Sequence, residues 1–339
     1  MHRFHLGHSL VVDTSARGGY SLRINLTNSS LRHMSIKTPT TTINPNQSEH
    51  IFREYDQVAL DAQYNNRARF PDYIDHFNNW TEWSYATRAE IPCLLDVEFG
   101  SSSLEKIDIF PAANSNAPIY MFIHGGYWYS LDKSHYSYVA NGMRPHGITT
   151  VVNNFDLAPK ADMDTIVEQN RKALAWLWRN AESFRADRER IYVCGHSAGG
   201  QLGLMLLGTD WEKYGDGLPA NLLKGVCSIG GIFDMEPIRL SFLNKTLNMD
   251  KLQAARNSPL QQTYRFSAPL SLVIAVDESD EFHRQSKEMQ DHWAALNYPV
   301  ELVIPPGLDH FSVVNDLANP SCDLVRHQLE QMNLAFKSI

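Results

Sequence analysis

One stretch constrains the fold of this chain more than any other: residues 190–200, RIYVCGHSAGG. There a β-branched, apolar run meets Gly195-His196-Ser197-Ala198-Gly199 and passes into an apolar helical segment. A G-x-S-x-G pattern is common by chance, but one set between a strand and a helix has the form of a nucleophile elbow. The serine of such an elbow sits on a sharp, strained turn, so side chains two residues away on either side would collide. The same turn aims a helix N-terminus at the serine, and the Ala198 amide is then placed to donate to a developing oxyanion.

The rest of the chain reads as a sheet to carry that turn. Hydrophobic residues make up 43% and charged residues 20%, enough to bury a large core. Beyond residue 90, short β-rich runs alternate with stretches of helical period, as in a parallel sheet covered on both faces. Strands are expected at 93–98, 106–110, 119–124, 148–154, 190–195, 223–229, 271–277 and 300–304, and helices over 161–182 and 281–296. In the first helix Ile166, Asn170, Ala173, Leu174 and Leu177 share a stripe. The first two or three strands lack long crossovers and should pair antiparallel. The expected class is α/β, with a mostly parallel eight-stranded sheet and helices on both faces. Residues 51–339 form that domain, with 51–90, rich in Tyr, Phe and Trp, as a helical or irregular cap. Residues 1–50 are a polar extension expected to be mobile. Met34 opens two readings of the first 33 residues: an upstream leader, or a start placed too early.

Further chemistry flanks the elbow. In IYMFIHGGYW, at 119–128, a buried strand ends in His124-Gly125-Gly126, whose glycine amides would complete an oxyanion hole with that of Ala198. His124 itself reads as a brace for the loop. A base must follow the serine in the chain, and His310, on a loop after VELVIPP, is best placed. His292 and His327 fall within expected helices and read as surface residues. The acid is open on spacing alone: Asp277, Glu278, Asp280 and Glu281 all follow SLVIAV, with a helix-capping role favoured for Asp280. Tyr127, Trp128, Tyr129 and Phe311 are candidates for an apolar wall beside the site, or equally for core packing.

Several classes are excluded. With 30 Lys+Arg against 38 Asp+Glu, the net charge of −8 argues against a nucleic-acid partner. Apolar runs are too short for a membrane span or a signal-peptide core. Four scattered cysteines suggest neither a disulfide framework nor a zinc site. No metal or organic cofactor is expected, the setting is expected to be cytoplasmic, and the partner is expected to be a small molecule. A homodimer is compatible with all of this.

The motifs together resemble the arylformamidases, or kynurenine formamidases, of the α/β-hydrolase superfamily. HGGYW at 124–128, GHSAGG at 195–200, GGIFDMEPI at 230–238, ESDEFHRQS at 278–286 and GLDHFSVV at 307–314 occur in the family's order. The resemblance implies Ser197 as nucleophile, His310 as base, and Gly125, Gly126 and Ala198 as oxyanion donors. It also implies Glu278 as the acid, because the family's acid immediately precedes a Ser-x-Glu-Phe segment, with Asp in many members. The implied reaction is hydrolysis of N-formylkynurenine to kynurenine and formate, and relatives also cleave aryl and short acyl esters. A carboxylesterase or carbamate-type hydrolase is the alternative, and a non-catalytic ligand-binding module a more distant one. The long extension and the aromatic stretch 127–145 depart from the family pattern.

Overall fold

Runs that are apolar on both sides of a strand are satisfied only inside a sheet covered on both faces, and β3 (Ala117–Ile123) is buried at every position. The computed structural model describes residues 49–336. Met34, and all of the polar extension except residues 49 and 50, lie outside the described residues. β3 is joined by β1 (Leu94–Glu98), β2 (Lys106–Phe110), β4 (Thr149–Asn153), β5 (Ala186–His196), β6 (Leu223–Ile229), β7 (Leu270–Val273) and β8 (Val300–Val303). They form one eight-stranded sheet in the order β1-β2-β4-β3-β5-β6-β7-β8. The pairs β1/β2 and β2/β4 are antiparallel and all other neighbours are parallel.

The antiparallel expectation for the first strands therefore holds in part. β1 and β2 pair as expected, but β3 lies inside the sheet, parallel to both β4 and β5. Its alternating side chains feed two cores. Ile119, Met121 and Ile123 enter one apolar cluster, while Tyr120 and Phe122 enter the other. β7 ends at Val273, earlier than expected, and Val276 and Asp277 emerge at the surface.

One face is covered by α4 (Met163–Asn180), α5 (Ala198–Leu207) and α6 (Asp280–Ala295), with α1 (Gln57–Tyr64) packed beside them. In α4 the expected stripe is buried throughout, and Asp162 caps the helix by accepting from the Thr165 amide at 2.9 Å. α5 is buried on all sides over its first nine residues, as an apolar helix wedged against a sheet must be. The other face carries α3 (Tyr73–Glu90) and α7 (Asp323–Gln331). Between α1 and α3 lies the single turn α2 (Asn66–Arg69). Among the described residues, no helix is long and apolar enough to cross a membrane.

Every segment that the sequence marks for chemistry leaves the sheet at one edge. The turn after β3 carries Gly125 and Gly126, that after β5 carries Ser197, and the segments after β7 and β8 carry Glu278 and His310. These are the C-terminal ends of parallel strands, where open α/β sheets gather ligands. The clamp that holds this edge is the packing of α4 and α5 against the sheet. Leu174→Ala, at a fully buried position of α4, is expected to lower unfolding free energy by about 2–5 kcal/mol, read from urea unfolding.

Candidate active site

The turn at Ser197 is strained as its motif demands. The serine holds φ 56°, ψ −117° between the end of β5 and the start of α5, a backbone state that costs a non-glycine residue about 1–3 kcal/mol. Its amide donates to Ile229 O at 2.7 Å, which ties the turn to β6. A Cβ on Gly195 would lie 2.0 Å from Gly199 O, and one on Gly199 would lie 2.0 Å from Ile123 O. The flanking glycines are thus steric requirements, because α5 rests its first turn directly on the backbone of β3.

Ala198 is the first residue of α5, and its amide is among those a helix leaves without an internal partner. Gly125 packs against the serine: a Cβ there would stand 3.1 Å from Ser197 Cβ. Gly126, at φ 108°, lines the cavity beside Ser197. His124 lies beneath this loop, with Nδ1 2.8 Å from Gly125 O, Nε2 3.1 Å from Asn154 Oδ1, and its ring stacked on Phe155 at 4.4 Å. Burial holds its pKa below the ordinary value. The position is that of a brace, as expected.

His310 Nδ1–H donates to Glu278 Oε2 at 2.8 Å, and the two side chains are 3% and 0% exposed. Of the four carboxylates that spacing could not separate, Glu278 is therefore the one at the imidazole. Asp277 and Asp280 are exposed. Ser279 takes the N-cap position and Asp280 follows it in the first turn of α6. Glu281 is buried and engaged by Tyr64 Oη at 2.9 Å and by Arg284 through both carboxylate oxygens. His292 and His327 stand on α6 and α7, away from the cavity. His327 is less exposed than expected, because Ser271 Oγ is bonded to its Nε2.

Ser197 and His310 face one cavity, about 350 Å³ in volume with its mouth included. No hydrogen bond joins them in this conformation, and such contacts commonly tighten only when substrate binds. Tyr127 and Phe311 are on the cavity wall. Trp128 and Tyr129 are not. Trp128 is fully buried in the core, its indole donating to Gln201 Oε1 at 3.0 Å, and Tyr129 is half-buried, its ring stacked on that of Tyr127.

The sequence reading missed the opposite wall, which comes from α2 and α3: Asn66, Arg67, Phe77 and Trp80. Its signal was the rise in aromatic content after residue 51, which indicated a cap without indicating that the cap reaches the serine. Phe311 meets Phe77 and Trp80 there, with ring centroids 5.7 and 6.3 Å apart.

Two other residues that the sequence did not single out hold His310 in place. His196, buried beneath the cavity, donates from Nε2 to His310 O at 2.8 Å. Gly230, at φ 53°, leaves room for the ion pair, since a Cβ there would sit 2.7 Å from Glu278 Oε1 and 3.0 Å from His310 Nδ1. At the rim, Asp72, His76 and Asp309 could share a metal ion, their ligand atoms lying within 4.8 Å of one another. Asp309 is already occupied in part, Oδ1 accepting from the amides of Phe311 and Ser312.

Comparison with known proteins follows the same lines. Residues 107–289 match the family model BD-FAE. The kynurenine formamidase of Salmo salar is 31% identical over 291 residues, covering 82% of this chain and 96% of that protein. That of Danio rerio is 32% identical over 252 residues, covering 72% and 84%. Among solved structures, a putative thioesterase from Silicibacter sp. superposes with a TM-score of 0.70 at 25% identity, over 79% of this chain and 97% of the other. A thermostable carboxylesterase from a metagenomic library shares the fold, with a TM-score of 0.61 at 19% identity over 78% and 95%.

Two outcomes are expected from this geometry. Gly230→Ala should displace the Glu278–His310 pair and lower kcat by roughly 10²-fold, measured by steady-state turnover of an ester with circular dichroism as the check on folding. The second concerns pH. Burial, and after it the neighbouring His310, pushes His196 well below the ordinary histidine value of 6.5, and burial lowers His124 as well. The native protein keeps both neutral, while the unfolded chain protonates them as pH falls through about 6.5. The unfolded state then binds more protons, so stability rises with pH across that window and declines below it. Urea unfolding from about pH 8 to about pH 5 should show this decline, with a shallower slope in His124→Gln.

Proposed function

The chain belongs to the kynurenine formamidase family of α/β-hydrolases, and we propose that Ser197, His310 and Glu278 are its catalytic triad, acting on the formyl amide of an aromatic amine. The observation that carries this reading is the buried Glu278–His310 hydrogen bond opening onto the cavity that holds the strained Ser197. In the first step Ser197 Oγ attacks the formyl carbonyl while His310 Nε2 takes the hydroxyl proton. Glu278, fixed on Nδ1–H, sets the tautomer that leaves Nε2 free to accept and stabilises the imidazolium that results.

The oxyanion is held by amides of the 125–126 turn and of Ala198, donors fixed before the reaction by the close packing of β3 against α5. Collapse of the tetrahedral intermediate returns the proton from His310 to the leaving amine nitrogen and leaves a formyl ester on Ser197. Water, deprotonated by His310, then attacks that ester, and as the bond from the formyl carbon to Ser197 Oγ breaks, His310 returns the proton to Oγ and formate leaves. A formyl donor resembling N-formylkynurenine fits the aromatic walls at Phe77, Trp80, Tyr127 and Phe311. The four cysteines, none of them in a disulfide, agree with a reducing, cytoplasmic setting.

Cleavage of aryl or short acyl esters is the second reading, supported by the esterase fold relatives, because the same machinery serves any small acyl group. Turnover of N-formylkynurenine beside p-nitrophenyl acetate decides between them. A far higher kcat/KM on the formyl amide, abolished by Ser197→Ala, is the expected result. Turnover of the ester alone would keep the triad and remove the amide. Glu278→Gln should lower kcat by about 10²–10⁴-fold with the fold intact. Asp280→Asn, on the exposed first turn of α6, should change stability by less than about 1 kcal/mol and leave kcat near that of the parent.

A further inference from the structure

One buried side chain that the chemistry above leaves unused ties the acid–base pair to the cap. Gln285, on the second turn of α6, is 1% exposed and stands behind the cavity, not on its wall. Its Oε1 accepts from the amides of Phe233 and Asp234 at 2.6 and 2.8 Å, and its Nε2 donates to Tyr64 Oη at 2.8 Å. Backbone amides only donate, so the carboxamide is fixed with its oxygen on them and its nitrogen toward the tyrosine. The hydroxyl proton of Tyr64 then goes to Glu281 Oε2 at 2.9 Å, a carboxylate that Arg284 engages through both oxygens. Every donor in this relay has an acceptor, and every direction in it is determined.

The relay has two arms. One reaches the turn that leaves β6. Gly230, at the start of that turn, makes room for the Glu278–His310 pair, and the two amides at its far end are those that Gln285 holds. Phe282, one helical turn before Gln285, sets its ring edge toward that of His310, with centroids 5.3 Å apart. The other arm reaches the cap. Tyr64 ends α1, and its carbonyl accepts at 2.7 Å from the hydroxyl of Tyr127, a residue of the cavity wall. A carboxamide suits the junction because it gives two amides an acceptor and a hydroxyl a donor without carrying charge. A carboxylate in its place would face Glu281 as a like charge.

We propose that Gln285 is a positioning residue for the hydrolytic reaction: its oxygen fixes the turn that shapes the Glu278–His310 pair, and its nitrogen fixes Tyr64 and, through it, the cavity wall. This rests on the hydrolase reading above and goes beyond it, since none of these bonds touches substrate. The two arms separate in kinetics. The arm to the turn acts on proton transfer and therefore on kcat, and the arm to Tyr64 acts on the wall that binds the ring and therefore on KM.

Steady-state turnover of N-formylkynurenine and of p-nitrophenyl acetate tests this, with circular dichroism and thermal unfolding as the check on folding. Gln285→Met, which cuts both arms, is expected to lower kcat about tenfold or more and to raise KM about threefold or more on whichever substrate the parent turns over. Tyr64→Phe, which cuts the cap arm alone, should raise KM by a similar factor and keep kcat within about twofold of the parent. In Gln285→Met/Tyr64→Phe, KM should rise no further than in Gln285→Met, because the arm is already cut. Parental kcat and KM in folded Gln285→Met, even with lowered stability, mark a scaffold residue and overturn the proposal. KM effects that multiply in the double variant overturn it as well. If Gln285→Met does not fold, Tyr64→Phe decides alone, and a parental KM there overturns the proposal. A parent that turns over neither substrate would instead overturn the hydrolase reading.

Discussion

The contact on which the site depends is between bare backbones: the first turn of α5 lies on the ends of β3 and β5 with no side chain between them. The positions facing that contact are glycines whose Cβ atoms would overlap carbonyl oxygens at 2.0 Å. Once α5 is seated there, three consequences follow together. Ser197 is forced into its strained backbone state, the orphan amides at the helix start point toward the serine, and Gly125 is brought against Ser197 Cβ. The strained serine and the amides around it are therefore aspects of one packing event. The strain at Ser197 persists because the Ile229 hydrogen bond and the buried faces of α5 hold the turn from either side.

The base and acid are set on that frame by a second layer of small contacts. His196 binds the carbonyl of His310, and Gly230 keeps open the space that the Glu278–His310 pair fills. Both residues sit at the ends of strands adjacent in the sheet, so the imidazole is positioned by the same edge that positions the serine. The histidines differ in what surrounds them. His310 has a carboxylate on Nδ1, while His196 is kept uncharged by its burial and by the imidazole of His310 beside it. A neutral His196 can orient the loop without placing a positive charge beside the one that forms on His310 during the reaction.

Most of this was legible in the sequence because it follows from backbone sterics and chain order. Gly195 and Gly199 announce a close approach, β-branched runs announce strands, and the order of serine, acid and histidine reflects which strands come last. Spacing could not single out Glu278, because four carboxylates follow β7 and what separates them is burial: β7 ends at Val273, so Asp277 turns outward and Glu278 inward. Trp128 was legible as an aromatic beside the glycine turn. Its place in the core was not, because that depends on Gln201 on α5, more than 70 residues further along the chain. Asn66 and Arg67 gave no local signal at all, since a polar pair on a four-residue turn looks like solvent-facing chain until the cap is folded over the cavity.

This division follows the two halves of the molecule that meet at the cavity. The sheet half is built from long-range backbone contacts that tolerate few residue types, and it carries the three residues proposed as the triad. The cap half is built from α1, α2 and α3, held by side-chain bonds such as Tyr64 to Glu281 and Trp80 to Asn315. Residues on such turns can change without disturbing the elbow, because no strand register or backbone approach depends on them. On the proposed reading, reaction type rests on the glycines and strand ends, and substrate choice on the side chains that line the cavity, such as Phe77, Trp80, Tyr127 and Leu131. An enzyme assembled this way can keep one mechanism while the group it recognises changes.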